Sequence, residues 1–309
     1  MYRVTCPFDI SISHKKVGIG IYGKNDINVK FPEKVDSLLQ FPNTTIEFQV
    51  NNDKYDNKYI LILHIDYPEC CDIELAVHIV TIIAKYLSFY LNKENINQRS
   101  GTYFIDLNLI ELKLNRIKEN GYCTNIAASD SYGLIVTNFV TIDEQYLQSS
   151  HYNENIHSFY FDGLRANFEK SKYFHWFLIL ETLEHSALYK KMFSDKLFDE
   201  TEKKAVCALA EQMSDGTKKG AILNILSRTK EVRKTKMLKL LQNIDIASYK
   251  LIKDEIKITE EMIANIIKGR NSLFHRGSDF PEEILWDVLF PIVKKIVEKV
   301  TMNPDLLNG

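Results

Sequence analysis

Apolar residues alternate with period two through much of the first half of this chain and recur at helical spacing through the second. The change falls at one polar stretch, Gln148-Ser149-Ser150-His151-Tyr152-Asn153-Glu154-Asn155. Period two places side chains on opposite faces of a strand, whereas steps of three and four residues line one face of a helix. The pattern predicts an α+β domain over residues 1–150 and a helical domain over 158–309. Strands are expected at Val17–Gly23, Thr45–Val50, Tyr59–Ile65, Tyr103–Leu109 and Gly133–Val140. Asn51-Asn52-Asp53 is expected to turn the chain, Pro68 to end the third strand, and a long helix to cover Asp72 to Asn92.

In the second half, Phe174, Phe177, Leu178, Glu181, Leu183 and Leu188 fall on one long aromatic-rich helix. Shorter helices are expected at about 200–213, 218–227, 231–243 and 247–254, then Glu260 to about Gly277 and Pro281 to Met302. Ser278 or Asp279 suits the cap before Pro281, and Pro291 should kink or split the last helix.

The 309 residues are 45% hydrophobic and 26% charged, a composition that supports a buried core. Net charge is −2, so any nucleic-acid contact must come from a local patch. Cys6, Cys70, Cys71, Cys123 and Cys207 form no C-x-x-C pair, and the opening residues do not read as a signal peptide; a reducing cytoplasm is the expected compartment. Ile73 to Leu91 is the longest apolar run, but it carries Glu74, His78 and Lys85 and reads as a buried or amphipathic helix, not a membrane anchor. His64 and His78 read as core histidines. Gly18-Ile19-Gly20 is a lone G-x-G, and the sequence holds no P-loop, G-x-S-x-G elbow or kinase signature. No cofactor and no metal are expected.

The chemistry concentrates near the C-terminus, in Arg270-Asn271-Ser272-Leu273-Phe274-His275. On a helix, Asn271 and His275 are i,i+4 neighbours, with Arg270 beside them. Arginine holds phosphate with a fixed, permanently charged fork, and histidine moves a proton near neutral pH. Together they suit attack of an RNA 2′-OH on the adjacent phosphodiester: His275 exchanges the proton, Arg270 stabilises charge on phosphorus, and Asn271 orients the imidazole. The bland alternative is a surface pair near a helix end.

RNSLFHRG resembles the Arg-x4–6-His motif of HEPN-superfamily ribonucleases, in the form of their ApeA-like branch. Tyr173 to His185, YFHWFLILETLEH, is similar to the first helix of that domain. The likeness covers about residues 165–300; residues 1–150 carry none. It implies an all-α bundle that forms a homodimer and joins two motifs in one composite cleft. It also implies cleavage of tRNA or mRNA in anti-phage, toxin–antitoxin or abortive-infection settings, with an antitoxin or a phage trigger as further partner. Polar residues of the first helix approach the cleft in the family, which implies that Glu181 orients His275. Some members are non-catalytic RNA- or protein-binding modules.

A second cluster is basic. Lys218, Lys219, Arg228, Lys230, Arg233 and Lys234, with Lys236 and Lys239, face only Glu231 within their own stretch. They are candidate RNA-backbone contacts through counterion release, or a solvated helix face. The first 150 residues are expected to sense a trigger, bind a partner or restrain the nuclease. A signalling nucleotide bound there is a further reading by analogy.

Overall fold

A computed structural model describes residues 1–13, 27–53, 56–66, 71–93, 101–117, 138–226, 230–251, 254–276 and 282–308; for 28, 51–53, 56–58, 138–139 and 274–276 it describes the backbone alone. The chain forms two compact units, Met1–Ile179 with Val293–Pro304, and Leu180–Ile292 with Asp305–Gly309.

The first unit is built on an antiparallel sheet. Its strands are β1 (Tyr2–Ser13), β3 (Lys34–Val35), β4 (Thr44–Asp53), β5 (Asp56–Ile65), β6 (Thr102–Leu107) and β7 (Lys113–Arg116). They run in the order β3-β4-β5-β1-β6, with β7 also paired to β1. β2 (Ile27–Lys30) and β8 (Asn138–Thr141) form a separate parallel pair. β8 covers the end of the strand expected at Gly133–Val140; residues 133–137 of it, and the strand expected at Val17–Gly23, lie outside the described residues. Asn51 to Asp53 do not turn as expected: they stay in β4, whose register with β5 runs on to Asp53 opposite Asp56.

β1 escapes a period-two reading because Pro7 sits inside it. Val4, Cys6, Phe8 and Ile10 are buried in alternation, but proline argues against a central strand. The sheet solves this by position. β1 pairs with β7 over Tyr2–Thr5 and with β6 over Phe8–Ser13, so Pro7 falls at the seam between two partners. Its carbonyl accepts from the Asn108 amide at 2.8 Å, so its nitrogen faces that same seam and deprives no ladder of a donor.

α1 (Ile73–Lys93) packs on β6 and on α3 (Glu154–Arg165). It is long and apolar enough to cross a membrane, yet twelve of its residues are buried in this unit. Two of them are polar and answer the open edge of β6. Asn92 donates to the Tyr103 carbonyl at 2.7 Å and accepts from the Tyr103 amide at 3.1 Å; Ser88 accepts from the Ile105 amide at 2.9 Å. Side chains on the helix thus do for β6 what a further strand would do.

The polar stretch at 148–158 is tied into the first unit by side-chain hydrogen bonds, although Ser149, Glu154 and Asn155 are exposed. Ser150 and His157 are buried. Lys85 donates to Tyr152 Oη at 2.7 Å and to Ser158 Oγ at 2.9 Å, and His157 Nε2 lies 3.0 Å from Thr301 Oγ1. Burial drives the His157 pKa down to about 4, so the ring is neutral. The division between units accordingly falls later than residue 150, between Ile179 and Leu180 inside α4 (Glu169–Glu184).

The second unit is helical with one interruption. α5 (Ala187–Met192), α6 (Glu200–Glu211), α7 (Gly216–Leu226), α8 (Arg233–Asn243) and α9 (Glu260–Arg276) follow in order. Leu188 is not part of the long aromatic helix: α4 ends at Glu184, and Ser186 caps α5 by accepting from the Tyr189 amide at 3.1 Å. The helix expected at 247–254 is instead a hairpin of β9 (Ser248–Leu251) and β10 (Asp254–Lys257), so this half is helical but not all-α. The stop that prevents a helix there is local. Asp245 adopts φ of 57°, the Ile246 amide reaches back to the Leu241 carbonyl and the Asp245 amide to Gln242, the hydrogen-bond pattern of a left-handed helix end.

The hairpin also settles Pro291. A π-helical turn, Ile284–Leu289, leads directly into α10 (Phe290–Met302), so the proline neither splits nor ends the helix. Proline has no amide to offer the carbonyl four residues back. That carbonyl belongs to Asp287, and Tyr249 Oη of β9 donates to it at 2.7 Å. Burial raises the Tyr249 hydroxyl to about 12, which keeps it a donor. The expected start at Pro281 and its caps Ser278 and Asp279 lie outside the described residues.

Candidate functional site

α9 carries the RNSLFH segment. Thr259 opens the helix, its hydroxyl accepting from the Met262 amide at 3.3 Å, and Glu260 and Glu261 place negative charge in the first turn. Ile263 and Ile266 are fully buried, and Gly269 continues the buried face. Ala264, Ile267, Lys268 and Asn271 fall on the more open side. The backbone places positions 271 and 275 on one face, as i,i+4 spacing requires. The side chain of His275 lies outside the described residues.

Arg270 reaches across to α4. Its Nη2 donates to Glu181 Oε1 at 3.3 Å, and its Nη1 lies 3.4 Å from Asn271 Oδ1. Glu181, expected from the resemblance beside His275, thus contacts the motif's arginine. One turn further along α4, Glu184 takes Arg233 in a two-pronged grip, with Nε to Oε1 at 2.7 Å and Nη2 to Oε2 at 2.6 Å. Arg233 Nη2 also lies 3.6 Å from Glu181 Oε1. Paired nitrogens on paired oxygens fix orientation as well as charge. The Glu184 hydrogen bonds hold the Arg233 pKa above its ordinary value. Two carboxylates on one turn of α4 therefore tie together two guanidiniums, from α8 and α9.

A surface groove of about 720 Å³ adjoins this network. One wall is the first turn of α8, with Val232, Arg233 and Lys234; the other is the open side of α9, with Ala264, Ile267, Lys268, Asn271 and Ser272. Its three cations among the described residues differ in state. Arg233 is held by Glu184, and Lys234 lies 3.4 Å from Glu260. Lys268 is exposed and forms no ion pair among the described residues.

The basic stretch is thus less positive in space than in sequence, because folding brings Glu184 and Glu260 to it. Lys239 pairs with Glu231 at 2.6 Å, and Lys236 Nζ sits 5.2 Å from the centre of the Tyr189 ring. Lys218 and Lys219 stand on α7, which packs with α6, and neither lines the groove. Lys230 is exposed in the segment before α8, and Arg228 lies outside the described residues. Of the candidate backbone contacts, the structure brings Arg233 and Lys234 to Asn271.

Sequence spacing did not pick out Lys268 or Val232, and it put Ile267 in one apolar stripe with Ile263 and Ile266, whereas Ile267 is only half-buried and lines the groove. Lys268 carries one available signal: it lies three residues before Asn271, on the same side of the helix.

Comparison with protein-family models, curated proteins and solved structures returns no match.

Proposed function

We propose that the chain is a metal-independent endoribonuclease of the HEPN type, acting as a homodimer in anti-phage or toxin-like defence in the cytoplasm. The observation that carries this reading is Arg270, held by Glu181 beside Asn271, which itself lines a cation-bearing groove. In the proposed reaction His275 takes the proton of an RNA 2′-OH. The 2′-oxygen bonds to phosphorus, the P–O5′ bond breaks, and the leaving oxygen is protonated. The products are a 2′,3′-cyclic phosphate and a 5′-OH end. Arg270 offsets the charge that builds on the phosphoryl oxygens. A two-fold axis would set two such motifs around one scissile phosphate and supply a second proton-transfer group.

The Arg270–Glu181 contact also supports a second reading, a non-catalytic RNA- or protein-binding module. An arginine paired with a carboxylate serves as a strut between helices without touching phosphate.

Induced expression of wild type and His275→Ala, followed by sequencing of RNA ends, separates the two. New 5′-OH ends in the wild type alone support the nuclease; identical end profiles support the binding module.

A further inference from the structure

The groove beside Asn271 has a chemical character that the cleavage reaction does not require. Among the described residues three cations rim it: Arg233 and Lys234 from α8, and Lys268 from α9. Val232, Ala264 and Ile267 give it an apolar lining, and Val232 is 59% exposed although it is a large aliphatic residue. A duplex would use the cations and leave the apolar lining empty. Its backbone is outside and its base faces are stacked within, and protein side chains meet it through phosphate and 2′-OH. A single strand offers both surfaces, because unstacked bases expose their faces while the phosphates remain charged. Among the described residues the lining holds no aromatic side chain, so the contact these residues make with ribose and base is van der Waals packing rather than stacking. The volume, about 720 Å³, lies within the range of pockets that enclose small ligands, roughly 300–1,000 Å³.

The cations also divide their work. Arg233 and Lys234 are already engaged by Glu184 and Glu260. Lys268 stands three residues before Asn271 on α9, a little under one turn away. It can meet a phosphate without giving up a carboxylate partner among the described residues.

We infer that this groove receives an unstacked nucleotide of single-stranded RNA next to the cleaved linkage, with Lys268 contacting a flanking phosphate. The inference rests on the nuclease reading for the word "cleaved", but binding in the groove does not.

The test uses the full-length protein and a fluorescent 2′-O-methyl RNA oligonucleotide, which cannot undergo 2′-OH attack, so occupancy is read apart from chemistry. Anisotropy titrations compare the single strand with the same strand annealed to its complement. The single strand is expected to bind at least about tenfold tighter, a difference of about 1.4 kcal/mol. Ala264→Phe, which fills the groove while leaving every charge in place, is expected to remove that preference. Lys268→Ala is expected to weaken single-strand binding and to flatten its dependence on salt. Thermal unfolding of each variant establishes that it is folded; should Ala264→Phe fail to fold, Ile267→Ser, which removes apolar lining without adding bulk, takes its place. Equal binding of single strand and duplex overturns the inference, and so does single-strand binding unchanged in folded Ala264→Phe and Lys268→Ala. Retained single-strand preference with no cleavage of unmodified RNA overturns the nuclease reading and leaves the groove assignment standing.

Discussion

Arg270 Nη2 lies 3.3 Å from Glu181 Oε1, a contact between residues 89 positions apart in the chain. The carboxylate holds the guanidinium in place beside Asn271 and restrains its motion. In a nuclease, removing it should cost catalysis more than binding. Glu181→Ala is expected to lower kcat by about 10- to 100-fold, the scale of a displaced catalytic group, with KM little changed. Glu181→Gln, which keeps an acceptor for Arg270, should recover part of the loss. Steady-state cleavage kinetics of the two variants check this. Loss confined to KM would instead make Glu181 part of the RNA-binding surface.

Tyr249 and Pro291 are coupled through the Asp287 carbonyl. Tyr249→Phe removes the 2.7 Å donor to that half-buried carbonyl, at an expected cost of about 0.5–1.5 kcal/mol for a lost hydrogen bond. In a Pro291→Ala background the alanine amide is available to the same carbonyl, so Tyr249→Phe should cost less. Urea unfolding of the two single variants and the double variant gives the coupling directly. Strictly additive free energies would show that the tyrosine does not stand in for the missing amide.

Much of the sheet was legible because burial on one face imposes period two: β4, β5 and β6 overlap the strands that alternation predicts. β1 was not, since Pro7 disqualifies a central strand unless the seam between β6 and β7 is known, and that seam is tertiary. The hairpin at Ser248–Lys257 stands where a helix is expected at 247–254. What forbids the helix is the left-handed turn at Asp245, a backbone conformation that aspartate tolerates without announcing it. The polar run at 148–158 reads as a domain boundary because polarity usually means solvent, whereas here Ser150, Tyr152, His157 and Ser158 hydrogen-bond with Lys85, Tyr86 and Thr301. At the candidate site, spacing along one helix picked out Arg270, Asn271 and His275. The carboxylates of α4, and the way they neutralise part of the basic stretch, depend on contacts spanning 49 and 89 residues that no local pattern encodes.

Lys172 supplies a pH signature for the first unit. Its side chain is fully buried, and its Nζ donates to Ser13 Oγ and Thr102 Oγ1, both at 2.7 Å, and to the carbonyls of Gly163 and Leu164 at 3.1 and 3.0 Å. Burial lowers its pKa to about 7, with Glu169 pulling the other way. An unfolded lysine titrates near 10.4. Between about pH 7 and pH 10 the unfolded chain therefore binds more protons at this position than the folded one, so this group's contribution to stability rises with pH across that window. Lys172→Met removes the titration, although it is also expected to destabilise by stranding buried acceptors. The difference in unfolding free energy between wild type and Lys172→Met should grow from pH 7 to pH 9.5. A constant difference would mean that the amine titrates normally in the folded state.

The most direct test of the site is cleavage of unstructured RNA by purified protein in EDTA, with wild type, Arg270→Ala and His275→Ala run side by side at matched folding. Wild type should cut and leave 2′,3′-cyclic phosphate and 5′-OH ends, and each variant should lose cutting while keeping its unfolding transition. Cleavage that survives unchanged in both folded variants, or wild-type protein that leaves RNA intact in every buffer, would contradict catalysis by this arginine and histidine.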